Sequence, residues 1–510
     1  MNLENQFSKA NIFFEKGDYQ SAIQLYEELL RKRPGNISVL NNLSAAYFQT
    51  GNIIDSRDLL CKVVEQFPQN GLAWNNLGKM YRETGQIDWA LDCFQKATKC
   101  DPQSDTIASN LLFVLNYCYH LSPEKIAQAH VSWGKAKSRL CKHIYKIKRP
   151  GTKSQYRIGY VSPDFRSHSV SYFFRPLIKY HNKDQFDIYC YANVSVPDQV
   201  TLELQAMHVK WRDIYSLTDE EAMSMILDDD IDILIDLAGH THNNRLGLFA
   251  QKLAPVQMTY LGYPNTTGLK TIDYRLTDCI ADPPSSKKYY SENLLYLNPC
   301  FLCYAPLENS PQPKQLNTET PTFGSFNNIG KMNQYAIKVW SQILNQLPNS
   351  RLFLKSRVLD DKKMQKNVLK QFAKHGVREK QLEFCGYIRN SHTHFESYHL
   401  VDIALDTFPY NGTTTTFEAL WMGVPVITLA GKTHASRVGM SILSSLGLND
   451  FIALTEAEYI SKAIQLAQNK DLIHHLRDSL RQLISQSSLL NAKLFVKQLE
   501  DVYKKAYEQT

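Results

Sequence analysis

A period of 34 residues governs the first hundred positions of this chain. Gly17, Gly51 and Gly85 are 34 apart, and so are Pro34, Pro68 and Pro102. Phe13, Tyr47 and Tyr81 follow the same spacing, as do Ala10, Ser44 and Gly78. A unit of this length cannot bury its apolar face alone, so neighbouring copies must stack. The glycines are placed to end one helix of each copy, because glycine takes up the left-handed conformation at low cost. The prolines are placed to stop the second helix, which they cannot continue. The small residues at 10, 44 and 78 let the paired helices approach closely.

The third copy reads Trp74-x-x-Leu77-Gly78-x-x-Tyr81, then Ala90-x-x-x-Phe94, then Pro102. This is the signature of the tetratricopeptide helix–turn–helix. A fourth first helix follows in Ile107-Ala-Ser-Asn110-Leu-Leu-Phe-Val-Leu. Asn42, Asn76 and Asn110 again lie 34 apart, so stacked repeats set three amides in a ladder on one concave face. Such amides either hydrogen-bond the backbone of an extended peptide or support packing between repeats. The segment Pro123 to Leu140 is expected to be a helix capping the array against the next domain.

From about Tyr156 the pattern changes to apolar strands separated by helical stretches. Strands are expected at 157–162, 186–192, 231–236 and 255–260, then at 322–326, 351–355, 382–385, 402–406 and 425–429. This alternation implies parallel sheet with crossover helices. With 510 residues the chain is too long for one core. The expected fold is an α-helical tetratricopeptide solenoid followed by two α/β, Rossmann-like lobes. The expected division is repeats and capping helix over 1–140, a linker at 141–155, a first lobe at 156–318 and a second lobe at 319–510. Ligands of such lobes bind outside the carboxyl ends of the strands.

Several classes are poor fits. Neither lobe has Gly-x-Gly-x-x-Gly after its first strand, against a dinucleotide oxidoreductase, and no Gly-x-x-x-x-Gly-Lys-Ser/Thr loop is present. The net charge of +7 is small for this length and does not argue for nucleic acid. No run approaches the ~18 apolar residues of a spanning helix. The opening residues lack a basic segment followed by an apolar run, so no secretory signal is expected. Ten scattered cysteines fit buried thiols in a reducing, cytoplasmic compartment. Asp228-Asp-Asp230 precedes a strand rather than following one, which discounts a metal site there.

Three clusters fall on loops after strands. Asp164-Phe-Arg-Ser-His168-Ser-Val-Ser171 follows the first strand and offers a histidine to a substrate. Asn327-Asn328-Ile-Gly-Lys331 follows the first strand of the second lobe, where a lysine can neutralise a leaving phosphate without metal. Asp406-Thr-Phe-Pro-Tyr-Asn-Gly412 leads into four threonines, 413–416, that open a helix. A helix N-terminus presents unpaired N–H groups and positive partial charge, a cradle for a diphosphate. Simple N-capping needs one threonine, not four. Glu418 lies one turn on, near where ribose or sugar hydroxyls would be held.

At these residues the sequence resembles glycosyltransferase family 41, the protein O-GlcNAc transferases and SPINDLY proteins. The stretches that carry the resemblance are Gly159-Tyr-Val-Ser-Pro-Asp-Phe165, His168-Ser-Val-Ser-Tyr-Phe173, Asp236-Leu-Ala-Gly-His240-Thr and Ala254-Pro-Val-Gln257. They continue with Leu261-Gly-Tyr-Pro-Asn-Thr-Thr-Gly268, Asp273-Tyr-Arg, Asp278, Cys300-Phe-Leu-Cys-Tyr304, Phe323-Gly-Ser-Phe-Asn-Asn328, the threonine loop and His434-Ala-Ser-Arg437-Val-Gly.

The resemblance implies a glycosyltransferase B fold and an inverting, metal-independent transfer to Ser/Thr hydroxyls, with no cofactor beyond the nucleotide-sugar co-substrate. It implies that His168 lies near sugar and acceptor, that Lys331 meets the donor's β-phosphate and that His394 lies at the nucleotide. Thr414 and Thr415 match phosphate-contacting threonines. Glu418 takes the place of an aspartate that holds the ribose. Asn328, Thr413 and Arg437 fall in the matched donor-binding stretches, and His240 is a second candidate for acid–base work. The animal enzyme has histidine at the position of Thr413 and lysine at that of Ser391, so the donor is left open between UDP-GlcNAc and the GDP-fucose of the plant SPINDLY branch. The partners implied are that donor and an acceptor protein held by the repeats, with neither nucleic acid nor membrane. A nucleotide-sugar epimerase and a catalytically idle repeat scaffold are the alternatives. The repeats argue against the first, and the intact lysine and threonine clusters against the second.

Overall fold

The computed structural model describes residues 3–140, 153–315 and 320–509. The greater part of the expected linker at 141–155 lies outside them. Eight helices come first: α1 (Leu3–Glu15), α2 (Tyr19–Lys32), α3 (Ile37–Gln49), α4 (Ile53–Gln66), α5 (Gly71–Glu83), α6 (Ile87–Cys100), α7 (Asp105–Leu115) and α8 (Pro123–Leu140). The strands follow: β1 (Tyr156–Ser162), β2 (Phe186–Ala192), β3 (Lys210–Asp213), β4 (Ile233–Asp236), β5 (Val256–Thr259), β6 (Tyr274–Thr277) and β7 (Asn293–Tyr296). After them come β8 (Thr322–Ser325), β9 (Arg351–Lys355), β10 (Leu382–Cys385), β11 (Ile403–Leu405), β12 (Val426–Leu429) and β13 (Ile452–Ala453). No helix among the described residues is long and apolar enough to cross a membrane.

The chain forms two compact units. One comprises Met1–Tyr119, Asn317–His394 and Leu400–Phe408; the other comprises His120–Leu316, Phe395–His399 and Pro409–Thr510.

In the first unit the repeats behave as their spacing demands. Gly17, Gly51 and Gly85 sit two residues past the ends of α1, α3 and α5 with φ of 79°, 83° and 75°. Asn36, Asn70 and Ser104 cap α3, α5 and α7 by accepting the backbone N–H three residues on. Ala10 and Ser44 are buried, and a Cβ on Gly78 would stand 2.8 Å from the Phe94 ring. Each small residue therefore marks a helix crossing. Strands β10-β9-β8-β11 form a parallel run beside the repeats' helix ends. Arg357 donates to the Gln49 carbonyl at 3.0 Å, and Asp361 accepts from the Ile54 N–H. The array is thus fastened to this lobe along its edge.

In the second unit a seven-stranded parallel sheet runs β3-β2-β1-β4-β5-β6-β7. Strands β12 and β13 pair in parallel. The last helix, Ala492–Glu508, packs on the first sheet's side of this unit. Tyr503 meets Tyr160, Glu500 meets His181, and Tyr507 donates to Asp232. Helix α8 also belongs here rather than with the repeats. Its buried face, Ile126, Ala127, His130 and Gly134, docks on the loop after β5. Gly134 and Gly268 meet backbone to backbone: a Cβ on Gly134 would stand 1.9 Å from the Gly268 carbonyl oxygen.

The edge strands β3 and β7 and the two-residue β13 were not expected, nor was β6. The first two are half-exposed along their length, and β3, Lys210-Trp-Arg-Asp213, lacks the apolar run that marks an interior strand.

Candidate active site

In the second unit, the loop after β1 is held tightly. Asp164 N–H donates to Ser162 Oγ at 3.0 Å, Thr201 Oγ1 to the Phe165 carbonyl at 2.8 Å, and Ser167 N–H to Asp198 at 2.7 Å. His168 rides on this frame with its side chain 38 % exposed. Its Nδ1 accepts the Val170 N–H at 3.3 Å and lies 3.6 Å from an Asp164 oxygen. Burial lowers its pKa, and the Asp164 carboxylate works against that shift. The ring is therefore neutral at pH 7 with its proton on Nε2, the nitrogen that does not take the backbone bond. In this state it donates a hydrogen bond.

The threonine-rich helix spans Thr414–Trp421, with Thr413 at its N-cap. Thr413 makes no side-chain capping bond, unlike Asn36 and Asn70 at the heads of α3 and α5. Its carbonyl instead takes the N–H groups of Thr416 and Phe417 at 3.1 Å. The preceding loop is anchored by Asn411, whose N–H donates to the Ala435 carbonyl and whose Oδ1 accepts from Gly439. Arg437 is spent locally, donating to the carbonyls of Ile280 at 2.7 Å and Gly431 at 3.2 Å. Glu418 is buried and accepts the Tyr398 hydroxyl at 3.0 Å.

His240 does not fit an acid–base role. It is fully buried between Trp133 and Tyr263, 4.5 and 5.3 Å between ring centroids, and its Nε2 donates to the Thr267 carbonyl at 2.8 Å. Burial drives its pKa well below the usual histidine range, with His130 adding repulsion. Its neighbour His130 donates from Nδ1 to the Ile126 carbonyl and takes the Tyr263 hydroxyl on Nε2 at 2.6 Å. These rings seat helix α8.

In the first unit, Lys331 ends a short turn, Ile329–Lys331, behind β8. Its N–H donates to the Asn328 carbonyl at 2.9 Å. Desolvation pushes its ammonium down to about 8, against the pull of Asp406 at the end of β11. His394 lies on the short helix Ser391–Glu396, and its Nδ1 accepts from Lys355 Nζ at 2.7 Å. Phe326 lies beneath both, 5.5 Å from the ammonium and 6.1 Å from the imidazole centroid. Lys355 was not anticipated. The signal was a lysine closing the apolar strand Arg351-Leu-Phe-Leu-Lys355, where a charge has no reason to be buried unless it is used.

Two of the three ladder asparagines, Asn42 and Asn110, are engaged within the array. Asn42 donates to Asn11 at 3.0 Å, and the buried Asn110 donates to Asn75 at 2.9 Å. Each bond joins successive repeats.

Residues 111–305 and 307–499 match the family model for glycosyl transferase family 41. The chain belongs to glycosyl transferase family 41. Residues 10–51 and 71–104 match tetratricopeptide repeat models. A family 41 relative from Petunia hybrida, named probable UDP-N-acetylglucosamine–peptide N-acetylglucosaminyltransferase SPINDLY, is 41% identical over 420 residues. That match covers 80% of this chain and 45% of the Petunia protein. The Arabidopsis thaliana SEC protein, of the same enzyme name, is 32% identical over 71% of this chain and 38% of its own length. The chain thus spans less than half the length of these relatives. The solved structure of a Thermobaculum terrenum O-GlcNAc transferase mutant superimposes with a TM-score of 0.94 at 31% identity, covering 99% of this chain and 97% of that one. The glycosyltransferase B fold expected of this family 41 chain follows from that likeness.

Proposed function

We propose that this chain is an inverting, metal-independent protein O-glycosyltransferase that moves a sugar from a nucleotide diphosphate donor to Ser/Thr hydroxyls. The donor is UDP-GlcNAc or GDP-fucose, and the setting is cytoplasmic. The observation that carries the reading is Lys331, a desolvated ammonium on the hydrogen-bonded turn that follows β8, in a chain of this family. A charge kept out of water interacts more strongly with an anion than one in solvent.

In the proposed reaction the acceptor oxygen bonds to the anomeric carbon as the bond to the diphosphate breaks. The diphosphate keeps the electron pair. Lys331 stabilises the charge that develops on it. His168, donating from Nε2, orients the reacting groups, and the hydroxyl proton leaves to water. Lys355 and His394 form the polar end of the nucleotide site, with the tautomer of His394 fixed by the lysine. The acceptor protein is held by the repeats.

Thermal-shift measurement with UDP, GDP, UDP-GlcNAc and GDP-fucose tests the donor. The matching nucleotide at a hundred times its dissociation constant should stabilise the protein by ~2.7 kcal/mol. Stabilisation by none of the four, or sugar interconversion without any acceptor, would sink the reading. Mass spectrometry of an incubated acceptor protein then identifies the sugar transferred.

A pH dependence follows from Lys331. Its folded pKa is held near 8, below an ordinary lysine. A bound diphosphate favours the charged form, so binding takes up a proton where the free lysine is neutral. Diphosphate affinity should be level below pH 8 and fall about tenfold per pH unit above it, until the pKa of the complex is reached. Calorimetry at pH 7 and pH 9 in buffers of different ionisation enthalpy reads both the affinity and the proton.

A further inference from the structure

The turn that carries Lys331 is gripped by the repeat array. Asn328 stands at its head. The Asn328 Oδ1 accepts the Gly330 N–H at 2.7 Å, closing the turn. The Asn328 Nδ2 donates to Glu83 Oε2 at 3.0 Å. Glu83 is the last residue of α5, in the third repeat. Its other oxygen takes Arg82 Nη2 at 2.9 Å, and the Arg82 guanidinium lies 5.2 Å over the Phe113 ring of the next repeat. The side chains of Arg82 and Glu83 are only 16 and 15 % exposed. The backbone fits as closely. A Cβ on Gly330 would stand 2.6 Å from the Arg82 carbonyl oxygen, and one on Gly85 2.7 Å from that of Met332. Gly85 also holds φ at 75°, so the repeat's own helix-ending glycine is the point of contact.

We infer that the third repeat is a working part of the donor site, with Glu83 acting through Asn328 as a positioning residue for Lys331. The inference rests on the reading of Lys331 as the group that meets the donor's diphosphate. Arg82 fixes the Glu83 carboxylate, the carboxylate fixes the Asn328 amide, and the amide's oxygen closes the turn. A carboxylate is the fitting residue here, because Asn328 can donate to it while still accepting from Gly330. The repeat array therefore does two jobs: it offers a surface to the acceptor and it sets the geometry of a group on the donor. Any shift of the third repeat on engaging an acceptor is felt at the diphosphate.

The test uses the full chain, with calorimetric binding of UDP and GDP and steady-state transfer. Glu83→Ala should weaken binding of the preferred diphosphate about three- to tenfold, the loss expected from one well-placed hydrogen bond. Turnover should fall with it while the KM for acceptor stays unchanged. Glu83→Gln, which still accepts from the Asn328 amide but turns its own NH2 toward Arg82, should lose less than Glu83→Ala. Asn328→Asp sets two carboxylates against each other and should lose as much as Glu83→Ala. Combining Asn328→Asp with Glu83→Gln restores a donor–acceptor pair in the opposite sense and should recover most of the loss. A merely structural role would not show that recovery. If Lys331→Ala abolishes diphosphate binding and Glu83→Ala and Asn328→Asp leave it at wild-type strength, the inference is wrong and the proposed function stands. If Lys331→Ala leaves binding intact, both fall.

Discussion

Lys331→Ala is expected to lower turnover about a hundred- to a thousandfold with the fold intact. That is the range seen when one preorganised group is removed from a developing negative charge. The argument is electrostatic. An exposed lysine is screened by water and salt and contributes little. Lys331 is desolvated enough that its pKa falls to about 8, and it is carried on a turn closed by its own Asn328. The charge has therefore already lost much of its hydration before the donor arrives, and little rearrangement is needed as the leaving group forms. Lys331→Arg keeps the charge but spreads it over a longer, planar head, so it should recover only part of the rate. Steady-state kinetics with a saturating acceptor reads the effect, and a thermal melt separates it from unfolding. Turnover within threefold of wild type would remove Lys331 from the chemistry.

Gly134→Ala is expected to be one of the most damaging single methyls in the second unit. The added carbon would fall 1.9 Å from the carbonyl oxygen of Gly268, and that glycine is itself fixed at φ 84° with its own Cβ position 2.1 Å from the His130 carbonyl oxygen. Neither side is a flexible side chain, so the helix must lift. Lifting α8 loosens the His130–Tyr263 bond and the contact of Trp133 with His240. Overpacking of this kind costs up to about 3 kcal/mol, here at the upper end because backbone meets backbone. For a unit of about 300 residues that is a fall in Tm of roughly 5 °C. Gly35→Ala is the control. Nothing lies within 4 Å of its Cβ position, and its melt should be unchanged. Equal melting of the two variants would mean the glycine contact is not tight in solution.

What could be read from the sequence divides along physical lines. The repeats were legible because a strict period imposes the same glycine, small residue and proline at each turn, crossing and stop. The interior strands β1, β2, β4 and β5 were legible as apolar runs. Strand β3, Lys210-Trp-Arg-Asp213, was not, because an edge strand needs no apolar face to pair. At the site, Lys331 and the threonine run were visible because charge and hydroxyls stood directly after strands. His240 too follows a strand, and helix α8 closes over it from more than a hundred residues away in the chain. Pairings such as Lys355 with His394, or Glu83 with Asn328, join positions whose spacing carries no pattern. Only the folded chain brings them together.

The way the two units share the chain has a further consequence for how the protein can be made and taken apart. The path passes from one to the other five times, at 119/120, 316/317, 394/395, 399/400 and 408/409. Neither unit is complete until residues beyond position 400 have been synthesised. Co-translational folding can secure the early helices, but the body that receives them must wait for a late segment. Modular exchange is restricted in the same way. Grafting a foreign repeat array onto this chain, or excising its own, removes part of an interrupted whole rather than an appendage, and the replacement must carry its own partner for Asn328.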